Sequence, residues 1–234
     1  MASRVPEKVM ELAELRDRIR VFEDRSDGGA VLADMLVGRV GGDPLILGVA
    51  AGGVAVGAPI ARRLGVGLSV AVVNKITPPW HSEWGFGAVA CDGSVVIDES
   101  SLKLAGVNRV ELGQCTQRTR ATVNRRLDLL AGHLPPEDLA GRVVVVVDDG
   151  LATGITMRGA IGAVERGGAA EIVMAIPTAY SDSIDRFAGL ESVDAIYCPN
   201  IRGGSSFAVA QAYIHWTNMT DAEIQTILEE FSGA

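Results

Sequence analysis

The segment Val143 to Met157, VVVVVDDGLATGITM, constrains the fold more than any other part of the 234-residue chain. An uninterrupted β-branched run that ends in turn chemistry predicts a strand buried on both faces, the kind found inside a parallel sheet. In such sheets ligands bind outside the carboxyl ends of the strands. Asp148 and Asp149 leave the strand side by side at that end. Gly150, Ala152, Thr153, Gly154 and Thr156 then offer backbone N–H groups and hydroxyls where a helix opens, which makes an anion cradle. Carboxylates suited to a diol, beside a cradle suited to a phosphate, point to a ribose phosphate.

Other readings of the run are weaker. A Walker B strand needs a G-x-x-x-x-G-K-[ST] loop, and the chain has none. A phosphatase of the aspartyl-phosphate type would want a second Asp at position 150, which is Gly150. A purely structural strand and turn has no need of two adjacent carboxylates, which are costly to desolvate unless something binds them.

The remaining elements place this strand in an α/β chain. Val9, Leu12, Ala13, Leu15 and Ile19 recur near helical spacing, and a second helix is expected from Gly29 to Val37 after the polar turn 24–28. A first strand is expected at 45–50, followed by the glycine-rich turn 51–57 and a helix to about Leu64. A second strand follows at 68–73. Segment 74–87 breaks all periodicity, and 88–97 reads as a hairpin around Asp92-Gly93. A polar helix over 108–131 leads to the valine strand and a helix over 156–167. Beyond it lie a strand at 171–177, a short helix at 181–187, a strand at 195–198, an irregular stretch at 200–206 and a helix opening at a Thr220 cap with Glu223. Alternating strands and helices predict a doubly wound, mainly parallel sheet, with its switch point between the first strand and the valine strand. One domain is expected over 1–234: N-terminal helices at 1–43, a core at 44–200 with a lid excursion at 74–97, and a C-terminal hood and helix at 201–234.

Composition narrows the function classes. A net charge of −8 argues against a nucleic-acid or membrane-surface binder, although an acidic chain still binds pyrophosphate when Mg²⁺ comes with it. Cys91, Cys115 and Cys198 lack metal-ligand spacing and read as reduced thiols. The uncharged stretch 45–61 is broken by glycines and Pro59, so no transmembrane span is expected. Glu7, Glu11 and Glu14 interrupt any secretory signal, and a cytoplasmic location is expected.

The valine strand, the acidic pair and the Thr-Gly-x-Thr loop resemble the signature for 5-phosphoribosyl 1-pyrophosphate (PRPP) of the type I phosphoribosyltransferases. The turn Ala51-Gly52-Gly53, the FEDR segment at 22–25, Asn74-Lys75, the GFGAV run at 85–89 and the tail FAVAQAYIHW at 207–216 are similar to a branch of bacterial and archaeal phosphoribosyltransferases. The resemblance implies a Mg²⁺-dependent transfer of ribose 5-phosphate from PRPP to a nitrogenous acceptor such as a nucleobase, with release of pyrophosphate. It assigns Asp148 and Asp149 to the ribose hydroxyls and the reacting carbon. Gly150, Leu151, Ala152, Thr153, Gly154, Ile155 and Thr156 fall to the 5-phosphate, and Ala51, Gly52, Gly53 and Lys75 to the pyrophosphate. Mg²⁺ would be held mainly by PRPP and water near Asp148 and Asp149, without a dedicated protein site. In the family an Arg commonly stands where this chain has Ala51, and an Asp stands at position 152 in 6-oxopurine enzymes, where this chain has Ala152.

Trp80, His81 and Trp84 fit either a lid closing on the acceptor or ordinary packing and exposure. Tyr213, His215 and Trp216 fit a hood, while the alternation of Phe207, Val209 and Tyr213 suits a strand. A regulator that binds PRPP without turnover and a phosphoribosyl hydrolase remain as alternatives, and a homodimer is an admissible assembly.

Overall fold

The computed structural model describes residues 7–81, 84–204 and 206–231. In chain order its elements are β1 (Val9–Met10), α1 (Arg25–Leu36), β2 (Leu45–Val49), α2 (Gly52–Leu64), β3 (Leu68–Ala71), β4 (Val73–Ile76), β5 (Gly87–Ala90), β6 (Val95–Ile97), α3 (Glu99–Ala105), α4 (Arg109–Leu129), β7 (Val143–Val147), α5 (Ile155–Arg166), β8 (Glu171–Ala175), β9 (Thr178–Tyr180), α6 (Ser181–Ala188), β10 (Ala195–Tyr197), β11 (Asn200–Arg202) and α7 (Asp221–Glu229). Among the described residues no helix is long and apolar enough to cross a membrane.

The main sheet is parallel and runs β1-β10-β8-β7-β2-β3. β7 lies between β8 and β2, and Val144 to Val147 are fully buried, as an apolar run covered on both faces demands. Their side chains alternate. Val144 and Val146 pack with Met157, Ala160 and Val164 of α5, whereas Val145 and Val147 pack with Leu32 of α1 and Val54 and Ile60 of α2. The chain winds outwards in both directions from the β2–β7 pair, so the switch point lies where the sequence predicts, with the loops after β2 and β7 side by side.

Elsewhere the tertiary structure overrides local pattern. The first expected helix is absent: Val9–Met10 is an edge strand on β10, Ala13–Leu15 is a single 3-10 turn, and Ile19 is 57% exposed. The edge strand wins because Lys8 and Met10 carbonyls accept from Ile196 and Cys198, while Lys8 Nζ donates to the carbonyls of Leu190 and Val193 at 2.6 and 2.7 Å. The second helix starts earlier than expected, at Arg25, because the Asp24 side chain caps it by accepting from Asp27 N.

Asn74 and Lys75, expected within an aperiodic excursion, belong to β4, which pairs antiparallel with β5; β5 in turn pairs with β6 around the predicted Asp92-Gly93 turn. Only part of the 74–87 segment is therefore a loop, and residues 82–83 lie outside the described residues. β8 and β10 each meet a proline, Pro177 and Pro199, and the ladder resumes beyond them as the separate pair β9–β11, because proline donates no ladder hydrogen bond. The stretch 200–206 thus begins with a strand. The tail alternation does not produce a strand, since Val209–Ala212 is a 3-10 turn. The expected capping box of α7, Thr220 with Glu223, is present.

Candidate active site

β7 delivers Asp148 and Asp149 to the switch point, and the α2 turn meets them there. A Cβ added to Gly52 would stand 1.8 Å from Asp149 Oδ2, and one on Gly53 would stand 2.2 Å from the Val147 carbonyl oxygen. The two glycines are required because the backbone of the turn lies directly against the carboxylate strand.

Asp149 is clamped. Arg25 Nε donates to Asp149 Oδ2 at 2.8 Å, with only 11% and 17% of the two side chains exposed. The same guanidinium donates to the Thr217 carbonyl at 2.8 Å and lies 3.9 Å from the centre of the Trp216 ring. Tyr213, packed between Phe22 and Trp216, donates its hydroxyl to the Asp149 carbonyl at 2.6 Å. The FEDR segment and the aromatic tail are held together by backbone bonds as well, with Ile214 N and His215 N donating to the carbonyls of Phe22 and Glu23. Two motifs almost two hundred positions apart thus form one wall beside the acidic pair.

The electrostatics are strained in one direction. Loss of water pushes the Asp148 carboxyl well up from the usual carboxylate range, and the neighbouring Asp149 charge pushes it further; the Asp149 N–H bond and the charges of Lys75 and Arg25 act against this. Burial also raises Asp149, while the Arg25 charge and hydrogen bond pull it down. Burial and the Asp149 charge likewise hold the Tyr213 phenol well above its ordinary value, so it stays a donor. Two adjacent carboxylates in this setting are primed for hydroxyl donors or a cation.

The loop after Asp149 has the complementary character. Leu151 is pinned to β9 by its N–H to the Thr178 carbonyl and its carbonyl to Tyr180 N, each at 2.9 Å. Ser183 of α6 donates to the Ala152 carbonyl, and Arg186 donates to the Thr153 carbonyl at 3.3 Å and to Ser183 Oγ at 2.7 Å. The carbonyls are therefore tied to protein. The N–H groups of Ala152, Thr153, Gly154, Ile155 and Thr156 donate to no protein acceptor among the described residues. Gly154 turns the chain into α5 at φ +76°, and a Cβ there would strike the Phe187 ring at 2.5 Å. Carbonyls drawn away and amides left open at a helix start make an anion site.

Lys75 reaches this region from β4 with an exposed side chain, and the backbone of Ala50 and Ala51 forms the turn above β2. Trp80, His81 and Trp84 make no hydrogen bond or ring contact to the acidic pair: Trp80 is 61% exposed, and His81 Nδ1 accepts from Trp84 N at 2.9 Å. A larger cavity, about 510 Å³, lies away from the site at the far end of α5, lined by apolar side chains such as Leu47, Leu127 and Val164 together with Cys91, Asp92, Glu137 and Arg166.

Residues 92–208 match the phosphoribosyl transferase domain. The chain belongs to the phosphoribosyltransferase family. Similar proteins include one from Mycobacterium tuberculosis named "Putative phosphoribosyl transferase MT0597", 31% identical over 90% of this chain and 47% of that protein. This chain therefore spans about half the length of that relative. An adenine phosphoribosyltransferase from Mycobacterium sp. (strain KMS) is 30% identical over 64% of this chain and 67% of its own length. The solved structure of TT1426 from Thermus thermophilus superposes with a TM-score of 0.72 at 31% identity, covering 92% of this chain and all of that one. The family accounts for the doubly wound α/β core.

Sequence reasoning did not assign roles to Arg25, Ser183 or Arg186. Arg25 stands in the FEDR segment, yet nothing within that segment signals a partner 124 positions away. Ser183 and Arg186 carry only a faint signal, since they are polar residues in a short helix, and the burial of Ser183 beside Ile184 and Phe187 follows from the tertiary structure.

Proposed function

We propose that this chain transfers ribose 5-phosphate from PRPP to a nitrogen of a nucleobase-type acceptor and releases pyrophosphate. The observation that carries the reading is the half-buried Asp148–Asp149 pair followed at once by a loop with five unpaired amides at the start of α5. The amides and the Thr153 and Thr156 hydroxyls receive the 5-phosphate, the carboxylates accept from the ribose hydroxyls, and the Ala51 to Gly53 turn with Lys75 faces the pyrophosphate. The bond from C1 to the pyrophosphate oxygen breaks with its electron pair leaving on pyrophosphate, and an acceptor nitrogen forms the new bond as its proton passes to water. Positive charge developing near C1 is stabilised by Asp148 and Asp149, so catalysis is chiefly positioning and electrostatics.

Among the described residues no group of three or more His, Cys, Asp or Glu side chains could hold a metal by itself. Two carboxylates fit Mg²⁺ that arrives on substrate oxygens and keeps its waters, with Asp148 and Asp149 beside it. When bound, it supplies charge to the departing pyrophosphate. The adenine phosphoribosyltransferase relative and the residue Ala152 favour an adenine- or uracil-type acceptor over a 6-oxopurine. Incubation with PRPP, Mg²⁺ and single nucleobases, read by pyrophosphate release and nucleotide chromatography, tests the proposal. Base-dependent release with a matching nucleotide is expected. Release without a base identifies a hydrolase, and saturable binding without release identifies a regulator.

A further inference from the structure

A cavity of about 430 Å³ opens between β4 and α4, with Ala50 from the turn after β2 and Thr156 from the first turn of α5 on its rim. α4 is locked to β4 in two places. Thr119 Oγ1 donates to the Lys75 carbonyl at 3.4 Å, and Arg126 donates to Asn74 Oδ1 at 2.9 Å while paired with Asp221 at 2.6 Å. Arg126 is thus a strut with its charge answered. Lys75 and Arg118 are in a different position. Both line the cavity, and among the described residues neither is paired with a carboxylate. The contacts of the Arg118 guanidinium are two at 3.4 Å, to the Thr77 carbonyl and to Cys115 Sγ, which leave most of its five donors free. Thr122 and Thr156 complete the wall.

No carboxylate lines the cavity beside Lys75 and Arg118, so both present donors to an anion that enters it. The cavity has room for a pyrophosphate-sized ion with its hydration, since a water takes about 30 Å³ in the liquid. Ala51 brings no charge to the neighbouring turn. We propose that α4 supplies the missing cationic wall, and that Arg118 with Lys75 binds the pyrophosphate group across this cavity. The identity of the anion rests on the proposed function, because the rim residues Ala50 and Thr156 place the cavity beside the site for PRPP.

The test is calorimetric titration of the full chain in Mg²⁺ with inorganic pyrophosphate and, separately, with ribose 5-phosphate. Arg118→Gln should weaken pyrophosphate binding about tenfold or more, the loss of one charge-assisted hydrogen bond, with Arg118→Lys recovering part of it. Ribose 5-phosphate affinity should not change in either variant. Arg125, exposed on the same helix but outside the cavity, provides the control, and Arg125→Gln should leave pyrophosphate affinity at the wild-type value. Wild-type affinity in Arg118→Gln, an equal loss in Arg125→Gln, or no pyrophosphate binding by the wild type overturns the proposal. Arg118-dependent pyrophosphate binding in a protein that ignores PRPP and ribose 5-phosphate supports the cavity as an anion site and removes the transferase reading instead.

Discussion

The two halves of the site solve opposite electrostatic problems by different means. The loop after Asp149 is neutral and offers only amide dipoles and hydroxyls, so it can stand open without a charged partner; its carbonyls are the groups that need holding, and Ser183 and Arg186 hold them. The acidic pair concentrates negative charge where little water reaches, and it requires a cation recruited from the start of α1 and an aromatic wall from the C-terminal tail. Anion recognition by backbone is thus built locally, whereas a desolvated acidic pair ties the site to the stability of the whole fold.

The sharpest way to break this contrast is to remove the cation. Arg25→Met leaves the half-buried Asp149 without its partner, and breaking the pair costs up to about 3–5 kcal/mol, the figure for a fully buried one. A urea titration should show that loss; an unchanged midpoint would mean that water compensates Asp149 and that the clamp is ornamental.

Asp148→Asn should act on stability in the opposite sense while harming binding. The fold raises the Asp148 carboxyl, so its contribution to stability is fully present below the ordinary carboxylate range and is lost as pH rises through the raised value. Asparagine cannot ionise and keeps that contribution. The variant should exceed the wild type in stability at neutral and alkaline pH, with the gap closing on acidification, while PRPP affinity falls about tenfold to a hundredfold through loss of a charged acceptor. Urea midpoints measured across pH would contradict the assignment if the gap did not depend on pH.

The smallest effect belongs to the neutral half. Ser183→Ala leaves the Ala152 carbonyl without its hydroxyl donor and should cost about 1 kcal/mol, roughly a fivefold loss in ribose 5-phosphate affinity. Pyrophosphate affinity should stay at the wild-type value. Equal losses for both ligands would show that α6 supports the site as a whole rather than the loop.

Legibility followed the same division. The valine strand, its acidic end, the Thr-Gly-x-Thr loop, the Asp92-Gly93 turn and the Thr220 capping box each depend on residues within a few positions, and the structure contains each of them. Val9–Met10 was illegible as a strand because two residues carry no periodicity and the edge of β10 supplies the reason for pairing. Asn74 and Lys75 looked like a loop because their strand partner is β5, across a connection of ten residues at 77–86. Asp24 and Arg25 looked like a turn although Asp24 is a helix cap that sets Arg25 towards Asp149.

What the sequence determined alone was the chemistry of each segment: a buried strand that ends in two carboxylates, an amide-rich turn, a glycine turn without a side chain to block approach. Periodicity and turn preferences are short-range properties, and five valines next to Asp-Asp have few ways to fold. The tertiary structure alone decided which arginine answers Asp149, which helix restrains the loop after Asp149 and which cations line one cavity. Each of those choices joins residues from 30 to more than 120 positions apart, and no local pattern separates one surface arginine from another until the sheet has brought them together.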